Sequence, residues 1–117
     1  MSARLEKYAP CLRQLHRASS STKNKLLQKL HKSPEFIKCL CECAKNIIKG
    51  NVELTKVQRE RIRKRKQSFR KLALKKTSLK EKRRIVQRGG FLGALLGPII
   101  SALGSLFGIG GGAKESS

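Results

Sequence analysis

The sequence predicts an all-α chain, in which a small helical domain leads into long basic helices and a hydrophobic, Gly-rich helical tail. Three observations carry this. No stretch of the 117 residues alternates apolar and polar side chains with a strand's period of two. Apolar residues from Phe36 to Ile48 recur at helical spacing. Start signals for helices stand at Ser33-Pro34-Glu35, Thr55-Lys56-Val57-Gln58 and Ser78-Leu79-Lys80-Glu81.

The first helix covers residues 4–17, with Leu5, Leu12 and Leu15 as its apolar positions and Pro10 expected to break or kink its early part. The run Ser19-Ser20-Ser21-Thr22 reads as a linker that supplies an N-cap for a short helix bearing Leu26, Leu27 and Leu30. Ser33 then caps a helix with Pro in its first turn and Glu35 near the positive end of the dipole. Phe36, Ile37, Leu40, Cys41, Ala44, Ile47 and Ile48 line this helix, and Lys49-Gly50 closes it. After a connection at 51–54, the Thr55/Gln58 capping box opens one helix to about residue 76. Its apolar stripe is narrow: Val57, Ile62, Phe69, Leu72 and Ala73. A second capping box, Ser78 with Glu81, opens a last basic helix to about residue 88. Composition divides the chain into a helical domain (1–54), a basic segment (55–88), an apolar segment (89–112) and a disordered tail (113–117).

Charge is the strongest functional signal. The formal charge is +21 and the pI near 10.8. Residues 56–88 hold sixteen Lys/Arg against Glu60 and Glu81 only, a net +14. A solvated, salt-bridged surface helix needs acids, and here almost none are present. The expectation is binding to a polyanion, by neutralising phosphates without reading sequence. The residues expected to do so are Arg59, Arg61, Arg63, Lys64, Arg65, Lys66, Arg70, Lys71, Lys75, Lys76, Arg83 and Arg84. The run Arg61-Ile62-Arg63-Lys64-Arg65-Lys66 also resembles a nuclear-localisation patch. With no Trp and one Tyr, a stacking-based reader of single-stranded RNA is not expected.

Other chemistry finds little support. Cys11, Cys39, Cys41 and Cys43 are too clustered for a disulfide scaffold and fit a reducing compartment. Cys39 and Cys43 share a helical face while Cys41 points elsewhere, and all are expected as small buried hydrophobes rather than zinc ligands. Seven scattered carboxylates and two His in Lys-rich surroundings offer no catalytic set, so neither an enzyme nor a cofactor is expected. The N-terminus, MSARLEKYAP, lacks the apolar core of a signal peptide.

Residues 91–109 carry no charge, and Gly and Pro98 interrupt them. Such a run, beside a +14 neighbour, is expected to find little protein to pack on and to insert in a membrane instead. The membrane-facing residues would be Phe91, Leu92, Leu95, Leu96, Ile99, Ile100, Leu103, Leu106 and Phe107. Gly89, Gly93, Gly97, Ser101 and Ser105 recur every four residues, a small face suited to homo-oligomer contact in lipid. Arg83, Arg84 and Arg88 would stay with anionic headgroups.

At the junction Arg83, Arg84, Arg88, Gly89-Gly90 and FLGALLGPIISALG, the chain resembles the precursor of adenovirus core protein X (mu). That family sets an Arg-rich, DNA-condensing segment before a double glycine and an apolar tail removed by the virion's maturation protease. CLCECAKNIIKGNVELT (39–55) and LKKTSLKEKRRIVQRGGF (74–91) look more like small basic proteins of Polinton/Maverick elements and adintoviruses. The resemblance implies a virion core protein that condenses double-stranded DNA, in the virion or host nucleus, with cleavage at Gly89-Gly90. The adenoviral protease prefers Met, Ile or Leu where this chain has Gln87; the segments before Gly110 and Ala113 fit that preference better. The rival expectations are a membrane-disrupting or membrane-anchored cationic protein with no nucleic-acid role, and a ribosome- or chromatin-associated binder whose tail oligomerises.

Overall fold

The computed structural model describes residues 3–88 and 90–106, with side chains throughout except at 20 and 103–106. The described chain is all-α: α1 (Ala3–Arg17), α2 (Ser20–Leu30), α3 (Pro34–Ile48), α4 (Lys56–Lys64), α5 (Lys66–Ala73), α6 (Leu79–Val86) and α7 (Phe91–Leu106).

Local chemistry explains most boundaries. Ser33 Oγ accepts from Phe36 N at 3.2 Å, and Pro34 fills the first helical position of α3. At its other end Gly50 turns left-handed (φ 81°), and Asn51 N reaches back to Asn46 O at 2.9 Å, satisfying a last-turn carbonyl. The Thr55 box is complete: Thr55 Oγ1 accepts from Gln58 N at 3.1 Å, and Gln58 Oε1 from Thr55 N at 3.0 Å. The Ser78 box is only half made. Ser78 Oγ accepts from Glu81 N at 3.1 Å, but the Glu81 carboxylate turns to Arg84 (3.2 Å) and Arg88 (3.8 Å) instead.

Four features differ from expectation. α1 runs through Pro10 without a break, because Leu5, Ala9, Leu12 and Leu15 are all buried on its inner face and outweigh one lost backbone bond. α2 starts at Ser20, so the Ser-rich linker shrinks to its cap, Ser19, which accepts from Thr22 N at 3.4 Å. The single helix expected from 55 to 76 is two, broken at Arg65 (φ −114°, ψ 26°). A straight helix has one stripe; the break lets Ile62 pack beside α7 while Ser68, Phe69 and Leu72 sink towards α3.

The fourth is the apolar tail. Phe91, Leu92, Leu95, Leu96 and Ile99 are buried in the core and Ile100 is half-buried. α7 packs on α1, α3, α4 and α6. The expectation that this run finds little protein partner is thereby corrected: the partner surface is pooled from four helices, the apolar-rich α3 among them. The small face turns outward, with Gly93 and Ser101 exposed. Among the described residues no single helix is long and apolar enough to cross a membrane; only α6 and α7 together, bent by 86°, reach that length and hydropathy. Gly89, Phe107 and residues 108–117, with the expected disordered tail, lie outside the described residues, as do the side chains of Leu103, Ser105 and Leu106.

One buried cluster runs from Leu5 to Ile99, crossing the boundaries that composition suggests after residues 54 and 88. Its centre is a layer of α3 and α7. Tyr8 meets Phe36 edge-on (5.7 Å between centroids) on one side, and Phe69 meets Phe91 at 5.0 Å on the other. Cys39, Cys41 and Cys43 are buried and Cys11 is partly so, all as free thiols.

Candidate nucleic-acid interface

A short amphipathic helix that buries one face must present the other, and in α4 to α6 that other face is basic. On α5, Ser68, Phe69 and Leu72 point inward, which leaves Lys66, Arg70 and Lys71 outward. On α4, Ile62 and Gln58 face inward, and Arg59, Arg61, Arg63 and Lys64 fan over the rest. Lys75 and Lys76 continue the exposed set in the turn to α6, and Arg84 lies exposed on α6. The structure thus brings ten of the twelve expected residues to the surface of one contiguous α4–α6 unit.

Their pairing is sparse. Glu60 pairs with Arg63, and Glu81 with Arg84 at 3.2 Å. Both are exposed pairs, each contributing about 0–1 kcal/mol, so a phosphate can compete for the arginine. Arg59, Arg61, Lys64, Lys66, Arg70, Lys71, Lys75 and Lys76 make no ion pair among the described residues.

Two expected residues do structural work. Arg83 is half-buried; its Nε donates to His31 O at 2.9 Å and its Nη2 to Lys32 O at 3.0 Å. These carbonyls follow the end of α2 and lack helical partners, so Arg83 clamps α6 to α2 rather than standing open to a polyanion. Arg65, partly buried at the α4–α5 break, lays its guanidinium over Gly90, where a Cβ would collide with it. Gly90 is also left-handed (φ 80°), and this backbone conformation is what requires glycine, since the end of the flexible Arg65 side chain can swing aside. Arg88, just beyond α6, donates to the buried Ser68 Oγ at 2.9 Å and ties the junction to α5. Nothing in the sequence separates these arginines from their neighbours, because the carbonyls and glycine they serve are distant along the chain.

Cations also lie exposed where the sequence reading assigned none: Lys7, Arg13 and Arg17 on α1, and Lys25 and Lys29 on α2. Spaced singly among apolar and neutral residues, they form no run, and only the fold collects them.

The remaining groups offer no reactive centre. Burial pushes the Cys11 and Cys41 thiols up, the latter partly offset by Lys82; a hydrogen bond with Cys39, then burial, pushes Cys43 up strongly. Such thiols stay protonated and are poor nucleophiles and poor metal ligands at neutral pH. Among the described residues no three His, Cys, Asp or Glu side chains come together in a way that could hold a metal ion. A hollow of about 910 Å³ lies between the end of α3, the 51–55 connection and α7, with Glu53 and Arg59 its only ionisable lining. No protein-family model, curated protein or solved structure matches the chain.

Proposed function

We propose that this protein binds double-stranded DNA without sequence preference and condenses it by neutralising phosphates, in the virion-core role that the resemblance at its C-terminal junction implies. One observation carries the reading: a short, continuous basic surface on α4 to α6 has eight cations with no carboxylate partner among the described residues. Lys and Arg point in many directions around α4, which suits phosphate contact better than the reading of base edges. The role is binding, not catalysis.

The burial of α7 bears on the rival reading. Membrane insertion would draw Phe91, Leu95, Leu96 and Ile99 out of a packed core, so the folded chain is read as a nucleic-acid binder and its tail as a core helix. A membrane role belongs to the chain only after it unfolds or is cut.

Gel-shift titration of a mixed-sequence duplex tests the reading. With roughly six to ten phosphates engaged, affinity should fall about a thousandfold or more between 50 and 200 mM salt. Replacing Arg61, Lys64, Arg70 and Lys71 by Gln should weaken binding to every sequence alike and lower the salt slope by about four, one per lost contact. Strong preference for one sequence, or indifference to salt, would overturn it.

A further inference from the structure

The cationic surface of α4 to α6 has a continuation that no run in the sequence announces. Arg83 ties α6 to the end of α2 through its bonds to His31 O and Lys32 O, at 2.9 and 3.0 Å. Two adjoining hollows open along the same seam. One, of about 340 Å³, lies between Lys23, Asn24 and Leu27 of α2 and the α6–α7 junction at Gln87, Arg88 and Gly90. The other, of about 180 Å³, shares Asn24, Leu27 and Gln87 with it and extends to Gln28 and His31.

Helical spacing sets out this groove. Lys23, Leu27 and His31 stand four apart, as do Asn24 and Gln28, so the five occupy adjacent rows on one side of α2 and its cap. Leu27, Val86 and Leu92 are buried and supply apolar lining. Asn24, Gln28, Gln87 and Arg88 are exposed, and Lys23 is half-buried. His31 turns Nδ1 to Leu27 O at 2.7 Å and is committed to the end of α2.

Two cations and three side-chain amides therefore remain open to a ligand. Among the described residues no carboxylate lines either hollow. Lys23 makes no ion pair there, and Arg88 only approaches Glu81, at 3.8 Å. Two like charges bordering one hollow favour an anion between them. Lys, Arg, Asn and Gln are also the side chains that hold a sugar-phosphate backbone without reading its sequence. Water takes about 30 Å³ per molecule, so the larger hollow has room for a phosphodiester with part of its hydration.

Arg88 joins this groove to the surface already described. Its Nη1 donates to Ser68 Oγ of α5 at 2.9 Å, and the same side chain borders the hollow with Lys23 of α2. Arg84 stands exposed one turn earlier on α6. A cationic path thus steps from α5 through Arg88 to α2.

We infer that the groove between α2 and the α6–α7 junction carries the DNA backbone onward from α4–α6. Lys23 and Arg88 meet phosphates, while Asn24, Gln28 and Gln87 donate to sugar-phosphate oxygens. The inference rests on the DNA-binding reading above and adds these five residues, none of them among the twelve expected from the basic run. It also lays the polyanion beside Gly90 and Leu92, at the start of α7.

The test titrates the full, 15N-labelled chain with a short duplex of mixed sequence at about 50 mM salt, beside gel shifts. Backbone amides of Lys23, Asn24, Gln28 and Gln87 should shift over the same range of added duplex as those of α4 and α5. Asn24→Glu with Gln28→Glu sets two carboxylates on the groove and should weaken binding about tenfold or more. Lys38→Gln with Lys49→Gln removes the same net charge from exposed positions outside both hollows, and should weaken it less than about threefold. Circular dichroism checks that both variants stay folded. Lys23→Gln, a milder change, should lower the salt slope by about one. Equal losses for the two double variants, or groove amides that stay unmoved, would overturn the groove and leave the α4–α6 reading intact. Failure of the wild type to bind any duplex would overturn both.

Discussion

α3 and α7 share the central layer, yet they are made in different ways. α3 carries its own instructions: Ser33 caps it, Pro34 and Glu35 start it, a left-handed Gly50 ends it, and Lys and Glu mark its open edge. α7 has Pro98, Gly93, Gly97 and Gly104 within it and no charge to show which side is out. Helix propensity opposes it by about 1 kcal/mol for each glycine. What places it is the apolar surface that α1, α3, α4 and α6 leave uncovered. One helix is specified mostly by local sequence and the other mostly by its surroundings. An apolar, Gly-rich, uncharged run therefore says that water is to be avoided, and not whether lipid or protein will replace it.

The largest effect should come from removing α7 altogether. A chain ending at Gly90 loses Phe91, Leu95, Leu96 and Ile99 from the core and should show no cooperative thermal transition, read by circular dichroism. A sharp transition in that truncated chain would mean that α7 is an accessory to a core complete without it. Single truncations then compare the two helices directly. Leu40→Ala and Leu95→Ala remove fully buried side chains, and each should cost about 2–5 kcal/mol in denaturant unfolding. A much smaller cost at Leu95 would break the equivalence of the two helices in the packed state.

Next comes pH, which senses α3 most, because two of the three thiols pushed up, Cys41 and Cys43, lie on it and only Cys11 lies on α1. Burial holds Cys41 protonated, and its hydrogen bond with Cys39 together with burial holds Cys43 so, whereas an ordinary thiol titrates near 9.0. Below that pH both folded and unfolded chains keep these protons, and the stability is intact. Above it the unfolded chain releases protons that the folded chain retains, so stability falls by up to about 1.4 kcal/mol per pH unit per thiol. Melting temperatures measured from pH 8 to 10.5 should therefore drop, and Cys41→Ala with Cys43→Ala should flatten the drop.

Two glycines give the finest contrast. Gly90→Ala forces a side chain into left-handed backbone and against Arg65, and should destabilise by about 1–2 kcal/mol. Gly93→Ala meets nothing within 4 Å and should stabilise α7 by roughly 0.5–1 kcal/mol. If both substitutions destabilised equally, the exposed small face of α7 would have to be covered by something in solution.

How far the sequence could be read follows the same division. The all-α class, the ends of α3, the Thr55 box and the basic run were legible because each rests on residues a few positions apart. The break at Arg65 was not, since neither Pro nor Gly marks it and its cause is that Ile62 and Phe69 serve different neighbours. Arg83 read as one more DNA-facing cation until the fold set it against His31 and Lys32, some fifty residues earlier in the chain. The burial of α7 was not legible because its partner surface is pooled from four helices that lie far apart in the sequence.

The arginine lying over Gly90 also bears on time. A protease must draw several residues of backbone into an extended strand in its cleft, and here that requires lifting Arg65 away and unwinding the start of a core helix. Cutting at this junction is then governed by how often the molecule opens, rather than by the residues flanking the bond. A polyanion that binds only the folded chain lowers that open fraction by mass action, roughly tenfold for each 1.4 kcal/mol of linkage. Under the proposed DNA binding and the cleavage that the resemblance implies, order of events would decide the outcome: a chain cut before it bound DNA would lose the apolar helix, and one that bound DNA first would keep it.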